Sequence, residues 1–329
     1  YKAKEMLSEV SKSFGIEVAF FDGRGGPPAR GGGNTHQFYA SLGEKISAND
    51  IQITIQGQTI SSNFGTQESS QFNLEQLLSS GIQNQVLEGR RITLSDSDRA
   101  TLEQLADLSY EKYKAFKSHP QFVPYIEHMS TLKYYAKTNI GSRPSKRGNA
   151  EGLNFSDLRA IPFVGSWSQS KQNVPGFFGV GTSLKHYEDA GEFDKVIALY
   201  NNSPFFKTLV ANSMMSLSKS FFGLTAYMEN DPVYGAFWSI IHDEYLLSKR
   251  LLLKLSGFET LMEDQPAGKK SIDLREQIVL PLLTIQQYGL MKIQELLKAG
   301  DLDEESRLIY EKLVTRSLFG NINASRNSA

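Results

Sequence analysis

The apolar positions at the start of the chain recur at helical spacing. Met6, Leu7, Val10 and Phe14 share one face of a helix predicted over residues 3–14. The pattern then changes: Ile16 to Phe21 is a short apolar run that predicts a buried strand. Ile51, Ile53 and Ile55 alternate with polar residues in a second strand that ends at Gln56-Gly57. Leu158 to Val164 predicts a third strand-like piece. Between them, Thr35 can cap a helix running to about Leu42, with Gly43 as its stop. Residues 58–71 read as polar loop and 72–88 as helix, and the capping signal Ser95-Asp-Ser-Asp98 opens a long helix to about Ser118. Residues 138–155 hold few apolar positions and predict a loop. From about Gly176 the pattern is helical, over roughly 176–190, 204–227, 232–256, 271–299 and 303–319. Pro204, Pro232, Gly257, Pro266-Ala-Gly268 and Gly300 punctuate these stretches. Short strands alternating with helices suggest parallel strands with ligand loops at their C-terminal ends, followed by a helical half.

Composition narrows the function classes. The chain has 329 residues, 40% hydrophobic and 22% charged, enough for one large domain or two ordinary ones. A formal net charge of −1 argues against a nucleic-acid or membrane-surface protein. The absence of cysteine excludes disulfides and thiolate metal sites, and fits a reducing cytoplasm. No run approaches the roughly 20 apolar residues of a membrane span. Tyr1-Lys-Ala-Lys-Glu-Met-Leu opens inside a helical pattern with no initiator methionine, which predicts a segment of a longer protein.

The candidate chemistry starts in a glycine-rich loop. After Phe21, five of the next eleven residues are glycine, and Arg24 and Arg30 stand among them. Glycine lets a ligand approach the backbone, and arginine offers a fork of donors that fits carboxylate or phosphate. The loop is therefore a candidate site for a small, multiply charged anion; the plain alternative is a mobile surface linker. It is not a P-loop, and Gly23-Arg24-Gly25-Gly26 lacks the spacing of a dinucleotide fold. A second basic cluster is Ser142-Arg143-Pro144-Ser145-Lys146-Arg147, either a phosphate site or a solvated charge run. Arg159 precedes the apolar run to Val164, where an unpaired guanidinium is costly, so it belongs in a salt bridge or at a ligand. His36, His119, His128, His186 and His242 show no paired metal-ligand spacing, and Trp238 with His242 reads as core packing.

These elements resemble phosphoenolpyruvate carboxylase. Phe20 to His36 is similar to that family's glycine–arginine loop, with Asp22 in place of the usual histidine and Asn34 where proline is frequent. Ser142 to Arg147 resembles its Ser-Arg-Pro-x-Lys-Arg element. Leu158-Arg-Ala-Ile-Pro-Phe-Val164 and Ser166 to Lys171 resemble its Leu-Arg-Ala-Ile-Pro-Trp and Trp-Thr-Gln-x-Arg elements, with Phe163, Ser168 and Lys171 as variants. Val174 to Gly181, Gln56-Gly57, Met214 to Lys219, Ser271 to Arg275 and the ending Arg326-Asn327-Ser328-Ala329 continue the likeness. The resemblance covers nearly the whole chain but only the C-terminal third or so of a family member.

The resemblance implies a mainly α fold with a few short parallel strands. Residues 1–175 would be the C-terminal part of a (β/α)8 barrel with its active-site loops, and 176–329 a helical region. It implies a cytoplasmic homotetramer that converts phosphoenolpyruvate and bicarbonate to oxaloacetate and phosphate, through carboxyphosphate and an enolate, with Mg²⁺ or Mn²⁺. Arg24, Arg30 and Asp22 would be the catalytic residues of this segment, and Arg24, Arg143, Arg159 and Gln56 would bind substrate. Arg30, Lys219, Arg275 and Asn327 would bind an inhibitory aspartate or malate. The metal ligands and the family's catalytic histidine are expected outside this chain, leaving the segment inactive alone and without a metal site. A paired Asp22, with Arg24 or Arg30 as partner, is expected, since an ionised unpaired one would repel an anion. The alternatives are a non-catalytic or re-purposed paralogue, and a helical interaction module with an anion-binding loop.

Overall fold

The structure, a computed structural model, describes all residues except 25, 44, 47–51, 55–59, 61–62, 87–93, 138–154, 301–302 and 326–329. It is mainly helical, with two short parallel strands among the described residues: β1 (Phe21–Asp22) pairs with β2 (Gln52–Ile53). Helix α1 (Lys2–Ser13) precedes β1, and α2 (Thr35–Ala40) follows the glycine loop. Next come α3 (Gln67–Val86), α4 (Asp96–Lys117), α5 (Phe122–Met129) and α6 (Ala160–Gln169). The C-terminal half holds α7 (Val180–Asp189), α8 (Phe193–Asn202), α9 (Pro204–Leu217), α10 (Gly235–Ser256), α11 (Pro266–Ala299) and α12 (Glu304–Ser325).

Several expectations hold for local reasons. Ser95 caps α4, its hydroxyl oxygen accepting from the Asp98 amide at 3.1 Å. Gly257 and Gly300 end α10 and α11 in the left-handed conformation that favours glycine. Trp238 is buried, and its indole donates to Thr225 Oγ1 at 3.0 Å, which fits core packing. The predicted helix over 204–227 breaks at Ser218 and resumes as a 3-10 turn over Phe222–Met228, and α8 fills a stretch where no helix was predicted.

Two expectations are corrected. Leu158 to Val164 is not a strand: Arg159 stands at the N-cap position and Ala160 onward is helix. Pro162 lies in the first turn, where amide groups have no intrahelical acceptor, so it does not interrupt the helix. The Ile16–Phe21 run is not a buried strand either. Strand structure begins only at Phe21, and Ile16 and Phe21 are 60% and 65% exposed. The apolar face of α1 is likewise outward, with Met6, Leu7, Val10 and Phe14 all exposed. Its polar face does the anchoring. Buried Glu5 takes a bidentate ion pair from Arg99 of α4 at 2.6 and 3.0 Å.

The main core runs from Leu94 to Met262 and so draws on both sides of residue 175. At its centre Phe116 stacks on Phe178 at 3.9 Å and on Phe237 at 5.3 Å. Helix α10 packs on α7, and buried Glu244 of α10 accepts from the Gly179 and Thr182 amides, each at 3.1 Å. It thus satisfies amide groups that the start of α7 leaves free. Helices α11 and α12 pack together over Tyr134 and Tyr135 in a second cluster. Gln169 at the end of α6 joins the two regions by accepting from Gln286 at 3.1 Å and Asn321 at 3.2 Å. Phe237→Ala is expected to cost about 3–5 kcal/mol, because a fully buried ring leaves a cavity among other rings. Urea unfolding checks it: the midpoint falls while the slope is kept.

Candidate functional site

The glycine loop is held shut by its own backbone. A Cβ on Gly32 would stand 1.6 Å from the Gly26 carbonyl oxygen, so only glycine permits this approach. A 3-10 turn, Pro28–Arg30, makes the tip of the loop, and Gly31 leaves it at φ 79°. The loop is then docked from outside. The Asn34 amide donates to Asn212 Oδ1 of α9 at 3.3 Å, and Gly33, at φ 97°, leaves room for that side chain. Ala29 sits against Gly176, where a Cβ would come within 2.6 Å of it. The turn also packs on α6, the helix that Arg159 opens.

Three arginines on these elements carry charge into partly buried positions. Arg24 donates to the Gly32 carbonyl at 3.0 Å and lies over the Phe38 ring at 3.7 Å, a cation–π contact. Among the described residues its buried Nε has no hydrogen-bond partner, and neither has the Nε of Arg159. Burial lowers the Arg24 pKa from its ordinary value, with Tyr39 and Asp22 pulling it back up, and burial alone lowers that of Arg30. Buried guanidinium nitrogens without partners are groups that an anion would satisfy. Among the described residues no ion pair joins Arg159 to a carboxylate.

Asp22 is paired, but not with an arginine as expected. Lys4 Nζ of α1 donates to both carboxylate oxygens at 2.7 and 2.8 Å, and the Tyr39 hydroxyl of α2 donates to Oδ2 at 3.1 Å. Lys4, Phe38, Tyr39 and Asn212 were not singled out from the sequence. No local motif marks them, because each is recruited from another element.

A second cationic cluster lies beyond α9. Lys219 follows the end of that helix, while Lys171 ends α6 with φ 54°, a left-handed conformation uncommon for a residue with a side chain. Lys171 is buried and paired with Glu276 of α11. Burial, then the neighbouring Lys171 and Arg275, push Lys219 down to about 8, against the pull of Glu276. The structure therefore brings Lys219 and Arg275 into one electrostatic neighbourhood and adds Lys171 and Glu276 to it. Arg143, Gln56 and Asn327 lie outside the described residues. No helix of the described residues is long and apolar enough to cross a membrane.

A family model described as phosphoenolpyruvate carboxylase matches residues 1–324. Two relatives, both phosphoenolpyruvate carboxylases of Corynebacterium glutamicum, are 32% identical to the chain over 317 residues. The match takes in 93% of this chain and 34% of each relative, so the chain spans about a third of their length.

Gly32→Ala is expected to force the loop open while leaving the helices intact. Strained backbone of this kind costs about 1–3 kcal/mol, enough to speed tryptic cleavage after Arg24 and Arg30 roughly tenfold at unchanged helical circular dichroism.

Proposed function

The chain belongs to the phosphoenolpyruvate carboxylase family, and on that premise we propose that it is the anion-binding and inhibitor-binding segment of such an enzyme. The whole enzyme would join phosphoenolpyruvate and bicarbonate into oxaloacetate and phosphate. Bicarbonate oxygen attacks phosphorus, the enolate leaves, and carboxyphosphate releases carbon dioxide, which the enolate carbon then captures. One observation carries this reading: Arg24 and Arg159, both in family motifs, bury Nε atoms that have no partner among the described residues.

In this reading Arg24, Arg143 and Arg159 bind the phosphoryl group, and Arg30 at the loop tip holds bicarbonate. Gln56 borders the substrate, and Asp22 lies at the base of the loop. Closure over the substrate excludes water from anionic intermediates, which strengthens every contact the arginines make. The parallel β1–β2 pair belongs to a (β/α)8 barrel whose remainder covers the outward apolar residues of α1, Ile16 and Phe21. Residues 1–175 thus serve the reaction and 176–329 its regulation, in a cytoplasmic homotetramer.

The family's chemistry implies a divalent cation, Mg²⁺ or Mn²⁺, which polarises the phosphoryl and enolate oxygens. Among the described residues, no group of three or more His, Asp or Glu stands close enough to hold one. These residues do not fit the ion. We place its ligands elsewhere in the whole enzyme, so that this segment alone is inactive.

Arg24→Ala in the full-length enzyme is expected to lower bicarbonate-dependent oxaloacetate formation by roughly 10²–10³-fold, as loss of a charge-stabilising donor does. An active enzyme indifferent to this change would overturn the reading. The second site, with Arg30, Lys219, Arg275 and Asn327, would take aspartate or malate. Bound dicarboxylate raises the Lys219 pKa from about 8, so binding takes up protons above that pH. Inhibition is therefore expected to weaken as pH rises through about 8, and calorimetry in buffers of different ionisation enthalpy would count the protons.

A further inference from the structure

An acidic side chain beside an anion-binding arginine is a competitor for that arginine. Asp22 is two residues from Arg24, and the Arg24 amide donates to the Asp22 carbonyl at 2.8 Å, so the two side chains leave a tight turn. If ionised and unpaired, the Asp22 carboxylate would find its nearest strong donor in the Arg24 guanidinium. It would also repel an incoming phosphate. The structure shows the carboxylate turned away from that encounter. Lys4 holds both its oxygens, the Tyr39 hydroxyl takes Oδ2 as well, and no hydrogen bond joins it to Arg24.

The pair is sheltered enough to matter. The side chains of Lys4 and Asp22 are only 19% and 14% exposed, unlike the open surface pairs that contribute little. Lys4 is fixed from two further directions, with its ammonium 5.0 Å from the Phe20 ring centroid and 5.3 Å from that of Phe38. Phe38 is also the ring under Arg24. One aromatic side chain therefore orders both cations, and the acid is shared with only one of them. The outcome is a loop that contains a carboxylate yet leaves the Arg24 Nε unpartnered.

We propose that Lys4 is a positioning residue for anion recognition: by holding the Asp22 carboxylate it keeps the Arg24 guanidinium available to a phosphate-bearing substrate. The proposal rests on the carboxylase reading of the loop. The charged and titratable groups facing Asp22 are Lys4 on α1, Arg24 in the loop and Tyr39 on α2. Without Lys4, the carboxylate is left with Arg24 as the nearest cation able to bind it.

The test uses the full-length enzyme and reads KM for phosphoenolpyruvate, kcat, and phosphoenolpyruvate binding by calorimetry. Lys4→Met is expected to raise KM tenfold or more with a smaller change in kcat. Lys4→Arg, which keeps the charge, is expected to restore KM to within threefold. Adding Asp22→Asn to Lys4→Met, which removes the competitor, is expected to recover most of the lost affinity. A merely structural role for Lys4 does not predict recovery on removing a second charge. If Lys4→Met does not fold, Lys4→Gln replaces it and is held to the same expectations. A KM unchanged by loss of Lys4, or a defect that Asp22→Asn does not relieve, overturns the proposal. An Arg24→Ala enzyme with unaltered phosphoenolpyruvate affinity overturns instead the reading on which it rests.

Discussion

Burying a cation without an anion is the constraint around which this structure is arranged. Arg24, Arg30, Lys171 and Lys219 all lose water on folding, and burial lowers the pKa of each. The chain meets the constraint in three ways. It lends Arg24 a carbonyl and an aromatic face, neither of which is an anion. It gives Lys171 a carboxylate, Glu276, whose presence makes a left-handed lysine tolerable. It leaves the Nε atoms of Arg24 and Arg159 without partners and Lys219 partly discharged. Groups held in that state bind an anion more strongly than solvated ones, because their desolvation has already occurred.

Helix α9 connects the two cationic regions. Asn212 on its last turns receives the glycine loop, and its C-terminal end leads directly to Lys219. Lys171 lies at the end of α6, the helix that touches the loop turn at one side and reaches α11 and α12 through Gln169. A displacement of α9 or α6 would therefore be felt at both regions. Packed helices move as bodies rather than bending to absorb such shifts.

Much of this was legible in the residues themselves. The glycine spacing and the two arginines marked the loop, since close backbone approach and a fork of donors each demand particular residue types. The cap at Ser95 and the left-handed stops at Gly257 and Gly300 followed from local chemistry. Lys219 and Arg275 were named together from resemblance, and the structure places them within electrostatic reach of each other. The strand reading of Leu158 to Val164 failed because a short apolar run is equally compatible with buried strand and buried helix. Here Trp167 and Phe163 pack sideways onto the core, which a helix permits.

What the sequence alone determined is what local chemistry specifies: the helical periods, the caps and stops, the glycine loop, and the family to which its motifs pointed. What only the tertiary structure decided is which groups meet. The polar side of α1 docks on the rest of the segment, where Glu5 and Lys4 find Arg99 and Asp22. Asp22 binds Lys4 rather than a neighbouring arginine, although Arg24 is far nearer in sequence. Burial and charge pairing act through space, between residues that the chain brings together only after it has folded, and no period or motif records them.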